Sequence, residues 1–280
     1  QIYLVTFTGY GDSVYFLISH HYILAHSVPF NMEADSLNAC VLGKDAVPGT
    51  AEFDLFVKEV HKEMTVKTGQ KCTAVRRVLV PENTIDLVQE ALISRLGKTA
   101  IGNPENKEVR MGALATKIQV ERVKENVELL MKSQEKVYGS LEKIPLIDAQ
   151  FEKGCFFSPI LFRNEQPFLK DDVHHVEAFG PVSTLIPYKD MEEAVAIVEM
   201  GKGSLVTSIV TNDDEIAKTF VTEAAHMNGR ILVLNERCAK ESTGHGSPMP
   251  LLTHGGPGRA GGGEETVSYT HLRAHETETN

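Results

Sequence analysis

Three short segments carry side chains able to do chemistry. Gly69-Gln70-Lys71-Cys72-Thr73-Ala74 places a thiol in a loop between a predicted helix and a predicted strand, where both flanks hold it still. A thiol becomes a nucleophile as its thiolate, which needs positive charge or aligned dipoles nearby. Lys71 is adjacent, but neighbours on an extended chain point apart. A lone Cys is otherwise a small buried hydrophobe, so spacing alone leaves both readings of Cys72 open. Asn31-Met32-Glu33-Ala34-Asp35-Ser36-Leu37-Asn38 sets two carboxylates and two amides before an apolar run. That is either a solvated turn or a strand-end loop carrying a general base for water activation. Glu177-Ala178-Phe179-Gly180-Pro181-Val182 is a turn entering a strand, and Gly-Pro by itself is punctuation. A Gly-rich tract from His254, with Arg259 inside it, could wrap an anion through backbone amides. No helix opening with Lys-Ser or Lys-Thr follows it, so it is not a P-loop.

These segments need elements to position them. Ile2 to Thr8 reads as a strand breaking at Gly9 and Gly11, and residues 10–26 admit a helix without requiring one. Leu37 to Leu42 suits a buried strand. Phe53, Phe56, Val57, Val60 and Met64 recur at helical spacing within Ala51 to Thr68, with Gly69 placed to cap that helix. Val75 to Val80 reads as a strand stopped by Pro81, followed by helices over Thr84 to Leu96 and Thr116 to Met131. Val182 to Pro187, Leu205 to Val210 and Ile231 to Leu234 are further strands, interleaved with helices over Met191 to Met200 and Asp214 to Ala225. Alternating strands and helices predict an α/β fold around a largely parallel sheet. Residues 236–265 are rich in Gly, Pro and Ser and read as too polar and flexible for a core element. From residue 266 no apolar periodicity remains, which predicts an unstructured tail or a sequence artefact.

Lys and Arg total 28 against 38 Asp and Glu, a formal net charge of -10, so a nucleic-acid surface is not expected. No apolar run is long enough to span a bilayer and no signal-peptide pattern opens the chain. The chain begins on a strand without Met, as though entered midway. Cys40, Cys72, Cys155 and Cys238 form no C-x-x-C pair, and the histidines never fall at ligand spacing beside them, so no metal site is expected. Reduced thiols in a cytoplasm are the expectation.

Taken together and in order, these segments resemble the aldehyde dehydrogenase superfamily over about residues 1–265. Phe7-Thr8-Gly9 is similar to its cofactor-side strand and turn, Gly69-Gln70-Lys71-Cys72 to its nucleophile signature, and Glu177-Ala178-Phe179-Gly180-Pro181 to its cofactor-ribose motif. Asn235 matches a strand end near the active site, and the Gly-rich stretch from His254 matches the C-terminal loop. Val28 to Asn38 and Glu241 to Pro248 most resemble the aldehyde dehydrogenase half of the bifunctional enzymes of phenylacetate degradation. Three features depart from the commoner pattern. Alignment on Ser36 and Asn38 puts Asn31 where the usual base stands, whereas the phenylacetate-type pattern puts Glu33 there. Tyr10 replaces a small Ser after the cofactor-side Gly. The upstream ribose-binding Lys and oxyanion-hole Asn have no counterpart.

The resemblance implies an aldehyde-dehydrogenase-like fold. Residues 1–43 would be the remnant of a Rossmann-type cofactor domain, 44–236 the catalytic domain, 237–265 a C-terminal loop and 266–280 the tail. It implies Cys72 as nucleophile, Glu33 as hydrolytic base, and Gly9, Glu177 and Phe179 at the cofactor, which would be NADP with NAD as the alternative. The substrate would be a CoA-linked semialdehyde, and the protein a homo-oligomer. A contrasting expectation is a catalytically silent piece that only folds, assembles or binds.

Overall fold

Alternation along the strands distributes apolar side chains to two faces of a sheet, and helices cover both. In this computed structural model, which describes residues 2–9, 11–247 and 255–261, a seven-stranded sheet has the order β5-β6-β7-β4-β3-β8-β9. Its strands are β3 (Ala39–Leu42), β4 (Arg77–Pro81), β5 (Glu135–Tyr138), β6 (Ile160–Arg163), β7 (Val182–Tyr188), β8 (Ser204–Val210) and β9 (Asn228–Leu234). All neighbours run parallel except the edge pair β5 and β6. Cys40, Leu42, Val78 and Val80 face α3 (Ala51–Thr65) and α4 (Ile85–Gly97), whereas Ala39, Val41 and Leu79 face α6 (Met191–Glu199) and α7 (Asp214–Ala224). This two-sided burial gives the near-continuous apolar runs of parallel strands. α5 (Lys117–Leu130) covers the β6 end through Val123, Val127 and Leu130.

A separate two-stranded parallel sheet pairs β1 (Val5–Thr8) with β2 (Phe30–Glu33), which are joined through α1 (Gly11–Ile18) and α2 (His21–Ala25). The expected division at residue 43 is not where the sheets divide. β3 pairs with both β4 and β8 inside the large sheet, so the change of sheet falls between Glu33 and Ala39.

Other boundaries shift for physical reasons. Pro81 is the last residue of β4 and pairs with Tyr188, because a strand's final position can lack a ladder N–H. The helix capped by Thr50 ends at Thr65; a 3₁₀ turn, Val66–Gly69, follows, with Lys67 and Thr68 in left-handed conformation at φ 53° and 55°. β5 and β6, absent from the sequence reading, are four residues each, too short for a periodic signal. Residues 236–265 do contribute to the interior: His245 and Ala260, at 0% and 1% exposure, are buried among the described part. The tail from residue 266 lies outside the described residues, as does Tyr10. No helix among the described residues is long and apolar enough to cross a membrane.

Candidate active site

Parallel pairing brings the chemistry-bearing segments to one place. β1 and β2 end together, Thr8 opposite Glu33, and the Gly9 N–H donates to the Glu33 carbonyl at 3.1 Å. The loops before β3, β4 and β7 carry Ser36, Cys72 and Glu177 to the N-terminal edge of the large sheet. The carboxyl ends of the small sheet therefore face the amino ends of the large one. Between them lies a cavity of about 290 Å³ whose walls include Thr8, Gly9, Glu33, Cys72, Glu177 and Phe179. Each of the five residues singled out from sequence, Cys72, Glu33, Gly9, Glu177 and Phe179, is on it.

Cys72 is half-buried and Glu33 is buried at 7% exposure. Glu33, Cys72 and Thr8 line the same cavity. Burial raises the Glu33 pKa above the ordinary carboxylate range, and the polar groups of Cys72 and Thr8 oppose that rise. Of the two positions available to a base, Glu33 lines the cavity that Cys72 also lines. Burial pushes the Cys72 thiol up to about 11, with the charges of Glu33 and Glu177 adding to the rise and the Cys72 and Thr73 backbone N–H groups opposing it. Lys71 does not supply the cation: its Nζ donates to both oxygens of Glu63 at 2.7 and 2.6 Å. The resting sulfur is a thiol, in the cavity that Glu33 also lines.

The loop is held from several directions. Asn38 Nδ2 donates to the carbonyls of Cys72 at 2.8 Å and Ala74 at 3.0 Å. Gln70 Nε2 donates to the Phe179 carbonyl at 3.3 Å, and Gln70 Oε1 accepts from the Ala115 N–H at 2.8 Å. Gly69, at φ +68°, lies so close to the following turn that a Cβ there would meet the Gly180 oxygen at 2.2 Å. Only glycine satisfies both the left-handed backbone and that approach.

Glu177 Oε1 accepts from Arg76 Nε at 3.2 Å and Oε2 from the Ser36 N–H at 3.4 Å. Burial raises its pKa to about 7, Arg76 opposing and Asp35 assisting the rise. A carboxylate has about four acceptor positions, so Glu177 keeps capacity for another donor from the cavity.

The Gly-rich tract does not present a free cation. Arg259 is ion-paired through two nitrogens with Asp35 and also donates to the carbonyls of His174 at 2.8 Å and His175 at 3.1 Å. Asn235 accepts from the Cys238 N–H at 3.2 Å, turning the chain after β9. Sequence reasoning missed Arg76 and gave Asn38 and Asp35 no role. The available signal was Arg76-Arg77 inside an apolar run, because buried arginines require dedicated acceptors.

The chain matches the aldehyde dehydrogenase family over residues 1–278, a span that includes most of the stretch expected to fall outside it. It is 41% identical over 254 residues to the 3,4-dehydroadipyl-CoA semialdehyde dehydrogenase of Aromatoleum evansii, covering 91% of this chain and 49% of that protein. It is 46% identical over 156 residues to protein MaoC of Klebsiella aerogenes, covering 55% and 45% respectively. Among solved structures, a betaine aldehyde dehydrogenase from Staphylococcus aureus in complex with NAD+ superimposes with a TM-score of 0.79 at 21% identity, over 92% of this chain and 48% of that one. A succinic semialdehyde dehydrogenase from Streptococcus pyogenes in complex with NADP+ gives 0.75 at 20%, over 92% and 51%. The chain thus spans about half the length of the relatives it matches. On the family match and the identity to a semialdehyde dehydrogenase, this chain belongs to the aldehyde dehydrogenase family.

Proposed function

We propose that this protein oxidises an aldehyde, of the CoA-linked semialdehyde type, to the acid, with Cys72 as nucleophile and Glu33 as base. The observation carrying this reading is that Glu33 and Cys72, 39 residues apart in the chain, line one cavity. Glu33 accepts the thiol proton as Sγ bonds to the aldehyde carbon, giving a thiohemiacetal on Cys72. A nicotinamide cofactor, NADP or NAD, bound against Gly9, Glu177 and Phe179 would supply the hydride acceptor. Cys72 then holds a thioester; Glu33, having passed the first proton to solvent, takes a proton from the water that attacks the thioester carbon, and the Cys72 sulfur leaves as the acid is released. The burial that raises Glu33 suits it to that task, because a carboxylate of ordinary pKa is a weak base.

The cavity also fits the cofactor. Gly9, at φ +156° where a Cβ would run into the Phe7 ring, leaves backbone exposed for close approach. Glu177 offers a carboxylate to a ribose hydroxyl, and Phe179 offers an apolar wall. The name of the Aromatoleum relative favours a CoA-linked semialdehyde as substrate. Soluble cytoplasmic homo-oligomers, and NADP over NAD, are part of the same proposal.

The test is intact-mass analysis and NADP reduction with a CoA-linked aldehyde. Glu33→Gln should slow acid release by about a hundredfold or more while a thioester accumulates on Cys72. Turnover by Cys72→Ala, or acyl-CoA as the product, would defeat the proposal. A second reading, a silent folding, assembly or binding unit, is favoured by the chain's spanning about half of its relatives. It requires negligible NADP reduction by these 280 residues alone, and measurable reduction removes it.

A further inference from the structure

Arg76 and Arg77 are consecutive, nearly solvent-free at 4% and 0% exposure, and turned to different tasks. Arg77 enters the interior, where its guanidinium donates to the carbonyls of Leu37, Ile197 and Val198 and so secures the end of α6. Arg76 turns toward the site. Its Nη2 donates to the Gly69 carbonyl at 2.9 Å and the Lys71 carbonyl at 3.4 Å, both in the loop that carries Cys72. Its Nη1 donates to the Gly180 carbonyl at 2.6 Å, its Nε to Glu177 at 3.2 Å, and its Cζ lies 5.5 Å from the Phe179 ring centroid.

We propose that Arg76 is a positioning residue that locks the Cys72 loop to the Glu177–Phe179 turn, so that nucleophile and cofactor-side wall keep one fixed relation. The inference rests on reading Cys72 as the nucleophile and Glu177 and Phe179 as the cofactor side. A planar guanidinium presents its N–H groups in a rigid fork, which lets one side chain serve acceptors in different directions. An ammonium of the same charge has no such fork. The two joined segments already touch backbone to backbone at Gly69 and Gly180, so a small rotation of either one moves the other. Arg76 also pairs with the Glu177 carboxylate, one of the charges acting on the Cys72 thiol. Loop position and local charge therefore pass through one side chain.

The experiment is site-resolved alkylation of Cys72 by iodoacetamide, read by peptide mass spectrometry across pH, with urea midpoints measured in parallel. The variants are Arg76→Lys, Arg76→Gln, Glu177→Gln and the two double variants. Arg76→Gln and Glu177→Gln should each change the Cys72 rate about threefold or more at about pH 8, with the double variant well short of their product. Arg76→Lys should not restore the wild-type rate or pH profile. Should Arg76→Gln fail to fold, the Arg76→Lys, Glu177→Gln pair supplies the same cycle. Additive effects, or a Lys variant indistinguishable from wild type, would overturn the proposal. Alkylation requires no turnover, so its result is independent of the thioester test on Glu33→Gln.

Discussion

The Asn38 side chain donates to the Cys72 carbonyl at 2.8 Å, tying the residue just before β3 to the loop that carries the thiol. The same Nδ2 reaches the Ala74 carbonyl, while Oδ1 accepts from the Ser36 hydroxyl at 2.7 Å and the Val206 N–H at 3.2 Å. Asn38→Ala leaves buried carbonyls without this donor and should cost about 1–3 kcal/mol in urea unfolding. Asn38→Asp turns an acceptor toward those carbonyls and should cost more. An Asp variant as stable as the Ala variant would remove the argument.

Lys67 and Thr68 hold left-handed backbone in the turn that feeds the Cys72 loop, at a position where side chains with a Cβ are disfavoured. Lys67→Gly should raise stability by about 1 kcal/mol, because glycine relieves that conformation. Thr68→Gly should gain less, since the Thr68 hydroxyl donates to the Gly112 carbonyl at 3.2 Å. Chemical denaturation of the two variants side by side checks the order, and a gain for Thr68→Gly above that of Lys67→Gly contradicts it.

Arg259 fastens the Gly-rich loop to Asp35, two residues beyond Glu33, and Gly261 packs where a Cβ would lie 2.9 Å from the Met32 carbonyl. Arg259→Gln should destabilise by about 1–3 kcal/mol, a partly exposed pair being worth less than a fully buried one. The combination with Asp35→Asn should recover part of that loss, since the unpaired carboxylate is then gone. Strict additivity in the double-mutant cycle would show that the pair does not act as a latch.

Acid should unfold the protein by way of two buried histidines. Burial lowers His245, with Lys71 and Arg230 assisting, and lowers His174, with Arg77 assisting, each to about 3 from an ordinary 6.5. The unfolded chain then binds protons first, so stability is full above about pH 6.5 and drains as pH falls toward about 3. Glu177, raised to about 7, acts in the opposite sense and stabilises less as pH rises through that value. Urea midpoints measured as pH is lowered should fall below about pH 4.5, where the Glu177 contribution has ceased to change and the histidine contribution still grows. His245→Gln should flatten that fall; an unchanged slope would exclude His245 as a source.

Much of the large sheet was legible because its signal is local. β7, β8 and β9 lie where β-branched runs placed them, and the apolar positions Phe53, Phe56, Val57, Val60 and Met64 all face the core from α3. β2 was not legible: Phe30–Glu33 is partly exposed for most of its length and, among the described residues, pairs only with β1. The solvated-turn and general-base readings of Glu33 differ only in what β2 lies against. The Arg76-Arg77 pair posed the same problem, since adjacent identical residues have their partners distributed by long-range contacts.

From sequence alone came the residue types able to react, Cys72, Glu33 and Glu177, and the alternation of strands and helices that carries them, because both depend on neighbours within a few positions. Folding decided that the ends of β1 and β2 meet the starts of β3, β4 and β7, that Glu33 and Cys72 line one cavity, and that Lys71 pairs with Glu63. Those relations are set by strand order and by burial far apart in the chain, and no spacing along it encodes them.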